Sequence, residues 1–138
     1  MYLTYAEYTA MGGTLEESAY NRYEYRAESI INWYTFNRLA NETEYPEAVK
    51  KCMFMLIDIL IRQDKILDGG DSGEGGGSAA EVASYSNDGV SVSYNVLSAS
   101  DVSAYNDKAI SDTVKRTLQG VVNSLGRRLL YRGLYPGE

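Results

Sequence analysis

The sequence has 138 residues, a formal net charge of −6 and a hydrophobic fraction of 44%, which suits one domain with a single core and excludes a disordered chain. The acidic balance argues against free duplex DNA as a ligand, because affinity for DNA comes mainly from Lys and Arg side chains that neutralise phosphates. The chain has no histidine and one cysteine, so it lacks Ser-His-Asp and Cys-His catalytic groups, Cys/His zinc sites and an internal disulfide bond.

A capping box opens the chain. Thr4 precedes Glu7 by three residues, the spacing at which each side chain can accept a hydrogen bond from the backbone N–H of the other residue. This spacing predicts a short first helix. We expect the helix to end at Met11, because Gly12 and Gly13 supply a C-cap.

The same motif recurs at Thr14 and Glu17 and predicts a second helix from about Leu15 to about Phe36. Apolar residues within that range recur at intervals of three and four, so they lie on one face of the helix. Residues 37–45 are expected to form the loop that follows.

A third helix is predicted from Pro46, which suits the first helical position because its missing N–H costs nothing there. Apolar residues fill most of the circumference of this helix, a pattern typical of the central, buried helix of a bundle. Asp58 interrupts the apolar run, and we interpret it as an ion-pair partner of Arg62, four residues later, rather than as a buried catalytic acid. Cys52 is interpreted as an inert core residue, since no histidine exists to activate it.

The composition changes at residues 68–80, where several glycines and no large apolar residue predict a flexible loop. We expect neither a phosphate site nor a calcium site there, because the loop lacks the P-loop, GxGxxG and EF-hand patterns. Residues 82–94 then alternate in polarity on either side of a turn from Asn87 to Gly89, which predicts a β-hairpin.

Apolar residues at helical spacing from Tyr105 to Leu129 predict a last long helix, capped by a Ser or Asp among residues 98–101. Gly126 is the expected point at which this helix ends or bends. The remaining segment is short and aromatic, and we expect it to be extended past Gly133.

These elements predict a mainly α protein, a small helical bundle of three long helices and a short N-terminal helix, with one β-hairpin and a flexible glycine-rich loop. We expect a single domain over residues 1–138. The sequence shows no signal peptide and no apolar stretch that could span a bilayer, so we expect a protein made in the cytoplasm without a membrane partner. We expect no enzymatic activity, no cofactor and no metal site.

The thirteen tyrosines are the unusual feature of the composition. Tyrosine is common at protein interfaces, because one end of its side chain is apolar and the other is polar. Ordinary surface positions are one alternative, and stacking on single-stranded nucleic acid is another that would need a basic groove. The candidate subunit-interface residues are Tyr5, Tyr8, Tyr25, Tyr85 and Tyr94.

The N-terminal part of the sequence carries three motifs in order, Leu-Thr-x-x-Glu-Tyr, Gly-Gly-Thr and Tyr-Thr-Phe-x-Arg. The residues that match, with two polar residues of the second helix, are Leu3, Thr4, Glu7, Tyr8, Gly12, Gly13, Thr14, Asn21, Arg22, Tyr34, Thr35, Phe36 and Arg38. This order resembles that of small siphophage head-tail connector (adaptor) proteins. The start of the third helix at residues 46–50 and the segment 82–89 also follow the order of that family.

The resemblance implies a structural subunit of the virion neck, at the head-tail interface. Such subunits assemble into a ring, typically of twelve copies, that attaches below the portal protein. The ring extends the channel through which double-stranded DNA passes without specific binding. It also gives a platform for the next connector, stopper or tail protein.

By analogy with the family, residues 127–138 form a C-terminal docking tail. The portal-docking candidates are Arg127, Arg128, Tyr131, Arg132, Leu134 and Tyr135. The acidic residues of the glycine-rich loop, Asp68, Asp71 and Glu74, are candidates for facing the channel, where negative charge would discourage DNA from sticking.

The main alternative is a small helical protein–protein interaction module that is not part of a virion. Such a module would remain a monomer or a dimer, whereas a connector subunit needs surfaces that identical copies complete around an axis. An enzyme is a third class, and it is disfavoured because the sequence offers no nucleophile paired with a base.

Overall fold

The computed structural model describes residues 1–68, 85–87, 90–92 and 99–138. Within these residues the protein is mainly α-helical, as the sequence predicts. The described elements are, in chain order, α1 (Tyr5–Ala10), α2 (Glu17–Thr35), α3 (Glu47–Asp68), β1 (Tyr85–Asn87), β2 (Val90–Val92) and α4 (Ala99–Leu118). The short leading helix and the three long helices of the prediction are therefore present.

The start of α1 follows the predicted capping box. The Thr4 hydroxyl accepts a hydrogen bond from the Glu7 backbone N–H at 3.2 Å, and the Glu7 carboxylate accepts one from the Thr4 backbone N–H at 2.9 Å. The helix ends at Ala10, one residue before the predicted end, with Met11 as its C-cap, and Gly12 follows with a φ of 97°. The first helix is thus set by contacts within a few residues.

The predicted capping box at Thr14 does not form, and α2 begins two residues later than expected. Its N-cap is Glu16, which makes no capping hydrogen bond with its side chain. Two tyrosines explain the difference. The backbone N–H of Leu15 donates to the hydroxyl of Tyr8 at 3.4 Å, and the carbonyl of Leu15 accepts from the hydroxyl of Tyr5 at 3.0 Å. Both backbone groups of Leu15 are therefore engaged by α1, outside the helix.

The prediction that the third helix is central is confirmed, because α3 packs against both α2 and α4. The buried residues of α3 are Val49, Cys52, Met53, Leu56, Ile57 and Leu60. From the neighbouring elements, Tyr20, Ile31, Val114 and Leu118 join the same core. Burial of these apolar side chains is the main stabilising contribution to a helical bundle of this kind.

The polar and reactive residues of α3 lie as predicted. Asp58 and Arg62 form an exposed ion pair on one face, at 2.5 Å. Cys52 is fully buried, and burial raises the pKa of its thiol to about 11. Cys52 is therefore neutral and packed in the core.

Pro46 lies just before α3 rather than in its first position, and its carbonyl accepts a hydrogen bond from the N–H of Val49 at 2.9 Å.

The predicted extent of the last helix is wrong, since α4 ends at Leu118 and not near Leu129. Gly120 has a φ of 81°, in the left-handed region that favours glycine, and this conformation turns the chain away from the helix axis. Tyr105, expected at the start of the apolar stripe, is 71% exposed. Ile110 and Val114, which belong to the same predicted stripe, are buried.

The residues after Gly120 form a tight reversal in place of further helix. Val122 and Arg128 pair in an isolated antiparallel bridge. Within the reversal the Asn123 side-chain oxygen accepts hydrogen bonds from the backbone N–H groups of Leu125 at 3.1 Å and Arg127 at 2.9 Å. An Asn side chain that bonds to nearby backbone in this way favours a turn over a helix.

Strands β1 and β2 pair in antiparallel register, with Tyr85 opposite Val92 and Asn87 opposite Val90. The turn residues 88 and 89 and the rest of the predicted 82–94 hairpin lie outside the described residues, as do Asp71, Glu74 and Tyr94. Asp68, predicted as the first residue of the glycine-rich loop, is instead the last residue of α3 and is exposed.

Candidate functional site

The C-terminal residues 127–138, predicted to form a docking tail that is extended past Gly133, fold back around Arg38. The Arg38 side chain is only 3% exposed. Its guanidinium donates hydrogen bonds to four backbone carbonyls of the segment, those of Arg128 (3.3 Å), Leu129 (3.2 Å), Tyr131 and Gly133 (2.7 Å). The prediction that the end is extended past Gly133 is wrong, because the Glu138 N–H donates to the Tyr135 carbonyl at 3.0 Å and the Glu138 side chain turns back to Arg38.

Glu138 completes the set of acceptors around Arg38. The Arg38 Nε donates to one oxygen of the Glu138 carboxylate at 2.9 Å, and Nη2 donates to the other at 3.1 Å. This hydrogen bonding, with a further bond from the Tyr135 N–H at 3.1 Å, lowers the pKa of the Glu138 carboxyl to about 2. The same carboxylate raises the pKa of Arg38 above its usual value. Both groups are thus charged at neutral pH.

Two aromatic rings flank the guanidinium. The Arg38 Cζ lies 5.3 Å from the ring centre of Phe36 and 5.0 Å from that of Tyr135. Arg127 approaches Tyr135 as well, with its Cζ 5.8 Å from the ring centre. Cation–π contacts of this kind add to the hydrogen bonds in holding the C-terminal segment against the end of α2.

The end of α2 positions Arg38 for these contacts. Phe36 is the C-cap and has a left-handed conformation with a φ of 54°, and Asn37 follows with a φ of 57°. The Asn37 N–H donates to the carbonyl of Asn32 at 3.0 Å, and the Arg38 N–H donates to that of Thr35 at 3.1 Å. The chain therefore leaves the helix in a sharp turn that directs Arg38 toward the C-terminal segment.

Sequence reasoning noted Phe36 and Arg38 only as members of a motif and missed their structural role. The available signal was an arginine two residues beyond a helix end and next to an aromatic residue. Its partners lie 90 to 100 positions later in the sequence, beyond the reach of any spacing rule.

The six portal-docking candidates lie together on this segment. Leu134 is 83% exposed and Tyr131 is 49% exposed, while Arg128 and Arg132 also face solvent. Arg127 and Tyr135 are partly buried, and the Tyr135 ring packs against that of Tyr131 in a tilted arrangement with ring centres 5.0 Å apart. The backbone of the segment is thus bound from within, while apolar and cationic side chains point outward.

The tyrosines proposed for a subunit interface divide into two groups. Tyr8 is 3% exposed, and its ring centre lies 4.8 Å from that of Tyr20 and 5.7 Å from that of Phe54. Tyr5 packs on the same cluster. This burial counts against Tyr8 as an interface residue, because its ring is already enclosed by its own chain, whereas Tyr5 is only partly buried. Tyr25 is 73% exposed.

The interface candidates in the strand region are less fully described. Tyr85 opens β1 and is placed by its backbone alone, and Tyr94 lies outside the described residues. Among the interface candidates described with their side chains, Tyr25 is therefore the one with a ring free to contact another molecule.

The partly buried carboxylates of the helices have structural partners. Asp64 of α3 accepts hydrogen bonds from the Tyr23 hydroxyl at 2.9 Å and from Arg26 at 2.8 Å, which ties α2 to α3. Glu24 accepts from the backbone N–H of Tyr2 at 3.1 Å, and burial raises the pKa of its carboxyl. These acids join elements of the fold, and none of them is paired with a nucleophile among the described residues.

Within residues 1–68, 85–87, 90–92 and 99–138, no group of three potential metal ligands comes together, and no helix has the length and hydropathy to cross a bilayer. The sequence matches no protein-family model, and no match was found among curated proteins or among solved structures. Function must therefore be inferred from the residues of this chain.

Proposed function

We propose that this protein is a head-tail connector (adaptor) subunit of a tailed phage, which forms a ring, typically of twelve copies, below the portal. The ring would extend the DNA channel and provide the platform for a downstream connector, stopper or tail protein. The observation that carries the proposal is the ordered set of motifs in the first 38 residues that resembles the siphophage connector family. The subunit would be made in the host cytoplasm and act in the virion neck.

The structural roles of the motif residues support this proposal. Thr4 and Glu7 cap α1, and Gly13 lies against the ring of Tyr8. Phe36 ends α2, and Arg38 binds the C-terminal segment. Each of these residues is needed for a particular turn, cap or long-range contact. A resemblance at such residues therefore favours a similar course of the backbone.

The C-terminal segment is the surface proposed to dock on the portal. Leu134 and Tyr131 offer exposed apolar area, and Arg128 and Arg132 offer positive charge, a combination common at protein interfaces. Because Arg38 already holds the backbone, the segment would dock with little further loss of conformational entropy. It would act as a preformed surface rather than as a free strand.

The proposed bundle also carries the β-hairpin and the flexible glycine-rich loop predicted from the sequence. A hairpin of two strands is marginally stable by itself, so a neighbouring subunit would complete it in a ring. Tyr25, which is 73% exposed, is a candidate for such a subunit interface. The acids Asp68, Asp71 and Glu74 would face the channel and discourage DNA from sticking.

Interrupting the gene in the phage that carries it tests the proposal. We expect DNA-filled heads and separate tails, with infectivity restored when the wild-type chain is supplied in trans. Electron microscopy of the restored particles should show the chain as a ring below the portal. Infectious particles that join heads to tails without this chain would refute the proposal and favour an interaction module outside the virion.

A matched pair of variants tests the docking surface within the same assay. Leu134→Asp should block attachment of heads to tails, because it places a charge on the most exposed apolar residue of the segment. Leu67→Asp, at an exposed position near the end of α3, is the control and should support assembly. Equal assembly by the two variants would contradict docking through the C-terminal segment.

A further inference from the structure

A groove of about 630 Å³ lies beside the C-terminal end of α2, and three of the eight residues that line it are aromatic. The residues that define its chemistry are Trp33, Tyr34, Phe36, Leu130, Lys115 and Arg132. They come from α2 and the turn after it, from α4 and from the C-terminal segment. The groove volume is within the range of sites that bind side chains or small ligands.

The aromatic residues of the groove are unusually exposed. Trp33 is 74% exposed and Phe36 is 52% exposed, although both are large apolar side chains. Phe36 also has the left-handed backbone conformation that a bulky residue seldom adopts. Backbone strain of this kind occurs preferentially at functional sites. Exposed aromatic residues beside a cavity are typical of the anchor points of protein interfaces.

The charge of the groove is opposite to that of the chain. The sequence contains 19 acidic and 13 basic residues, yet both charged residues that line the groove, Lys115 and Arg132, are cationic. Both side chains are exposed, and neither forms an ion pair with another described residue. The groove thus joins an apolar surface to two cations that lack a counter-ion within the described structure.

We propose that the groove binds an acidic peptide segment of a partner protein, with a bulky apolar side chain seated against Trp33 and Phe36. Carboxylates of the segment would pair with Lys115 and Arg132, which accounts for a positive groove on an acidic protein. Single-stranded nucleic acid could also stack on Trp33, but two cations give little of the electrostatic affinity on which such binding depends. This inference does not depend on the connector proposal, because the groove belongs to a single chain.

Selection from a tryptophan-free library of random peptides of about a dozen residues tests the proposal. The full-length protein is the bait, and a Lys115→Glu/Arg132→Glu variant removes peptides that bind elsewhere. We expect the enriched peptides to be acidic and to carry a bulky apolar residue. Trp33 is the single tryptophan of the chain, so its emission should shift to the blue as each selected peptide covers it.

Point variants then locate the binding. Lys115→Glu and Arg132→Glu should each weaken the selected peptides about tenfold, because each reverses a charge at the groove. Arg116→Glu is the matched control, since Arg116 is the next residue of α4, is exposed and does not line the groove. It should change the affinity less than about twofold.

Several outcomes would overturn the proposal. They are selected peptides without an acidic bias, no enrichment at all, or equal loss of affinity in the Arg116→Glu control. A single-stranded oligothymidine that displaces the peptides with higher affinity would assign the groove to nucleic acid instead. A blue shift of Trp33 on concentrating the protein alone would assign it to a second copy of this chain. Each result is separate from the virion assay, so failure of either proposal leaves the other standing.

Discussion

Arg38 and Glu138, one hundred positions apart in the sequence, are joined by two parallel hydrogen bonds between guanidinium and carboxylate. The donor and acceptor atoms lie 2.9 and 3.1 Å apart, and the arginine side chain is almost completely buried. The same guanidinium binds four carbonyls of the C-terminal segment. One side chain therefore links the end of α2 to the whole of that segment.

Replacing Arg38 should be strongly destabilising. We expect Arg38→Met to lower the free energy of unfolding by about 3–5 kcal/mol, because it leaves a carboxylate and several carbonyls without their donor. Arg38→Lys should recover only part of this loss, since an ammonium lacks the planar fork of donors. Arg62→Met is the control and should cost less than about 1 kcal/mol, because the Asp58–Arg62 pair is exposed. Similar losses for Arg38→Met and Arg62→Met in urea denaturation would contradict the anchoring role.

Acid should weaken the contact between Arg38 and Glu138. The Glu138 pKa is lowered from 4.5 to about 2 in the folded protein, so the pair contributes its full stability above the unfolded pKa and loses it as pH falls through this window. Glu7, paired with Lys50 at 2.5 Å, has its pKa lowered to about 2 as well and acts in the same direction. We expect the free energy of unfolding to decrease steadily from about pH 5 to about pH 2.

The variant Glu138→Gln isolates one part of that pH dependence. It should flatten the decrease in stability between neutral pH and about pH 3, as measured by denaturant titrations at each pH. In an Arg38→Met background the same substitution should have a smaller effect, since only the Tyr135 N–H and Arg127 then remain as partners of the carboxylate. An unchanged slope for Glu138→Gln in the wild-type background would show that the carboxylate is not bound in solution.

Gly13 is required because no side chain can be added there without displacing Tyr8. A Cβ atom at this position would lie 2.2 Å from the Cε1 and Cζ atoms of the Tyr8 ring, which is buried. We expect Gly13→Ala to lower the free energy of unfolding by about 1–3 kcal/mol through this overlap. In a Tyr8→Leu background the alanine should cost markedly less, and a thermal or chemical double-mutant cycle measures the difference. Strict additivity of the two substitutions would argue against the contact.

Phe36 should respond to substitution according to backbone preference rather than side-chain size. Phe36→Gly relieves the left-handed conformation, worth about 1–2 kcal/mol, and loses a half-exposed ring, so its stability should stay within about 1 kcal/mol of wild type. Phe36→Val keeps an apolar side chain but is β-branched, and we expect it to cost about 2 kcal/mol more than the glycine. Chemical denaturation distinguishes the two. A valine variant as stable as the glycine variant would remove the argument for strain at this residue.

The parts of the fold that could be predicted depend on contacts between close neighbours in the sequence. The capping pair of Thr4 and Glu7 and the ion pair of Asp58 and Arg62 each lie within one helical turn, and both are confirmed. The central place of α3 also followed from local information, because a helix that is apolar on most sides must be enclosed by others. Local spacing is enough for such features.

The predicted start of α2 and the predicted end of α4 are wrong for different reasons, the first because of contacts from α1 and the second because of a local turn. Thr14 repeats the motif of Thr4, but the tyrosine hydroxyls of α1 engage Leu15 and delay the start of α2. Helical spacing continues to Leu129, yet Gly120 and the Asn123 side chain stop α4 and reverse the chain. The last helix could have been shortened by giving those two turn-forming residues more weight.

The docking role of the C-terminal segment stays a prediction, and its folded form was not predicted. The assignment of residues 127–138 as a docking tail rests on their position at the C-terminus, by analogy with the connector family, and their exposed side chains include aromatic and cationic ones. That the segment curls around Arg38 could not be predicted, because the anchor belongs to a different part of the sequence. The groove of Trp33 and Lys115 was missed for the same reason, since α2 and α4 meet there only in the folded chain.

The long sequence separation around Arg38 has a consequence for the order in which the molecule folds. Closing a contact between residues 90 to 100 positions apart costs more chain entropy than bringing together helices that a short connection joins, as α2 and α3 are. The C-terminal segment should therefore be the last part of the described structure to reach its place during refolding. Its amide protons should also exchange with deuterated solvent before those of α3, because the segment lies outside any helix whereas α3 is the central helix of the bundle.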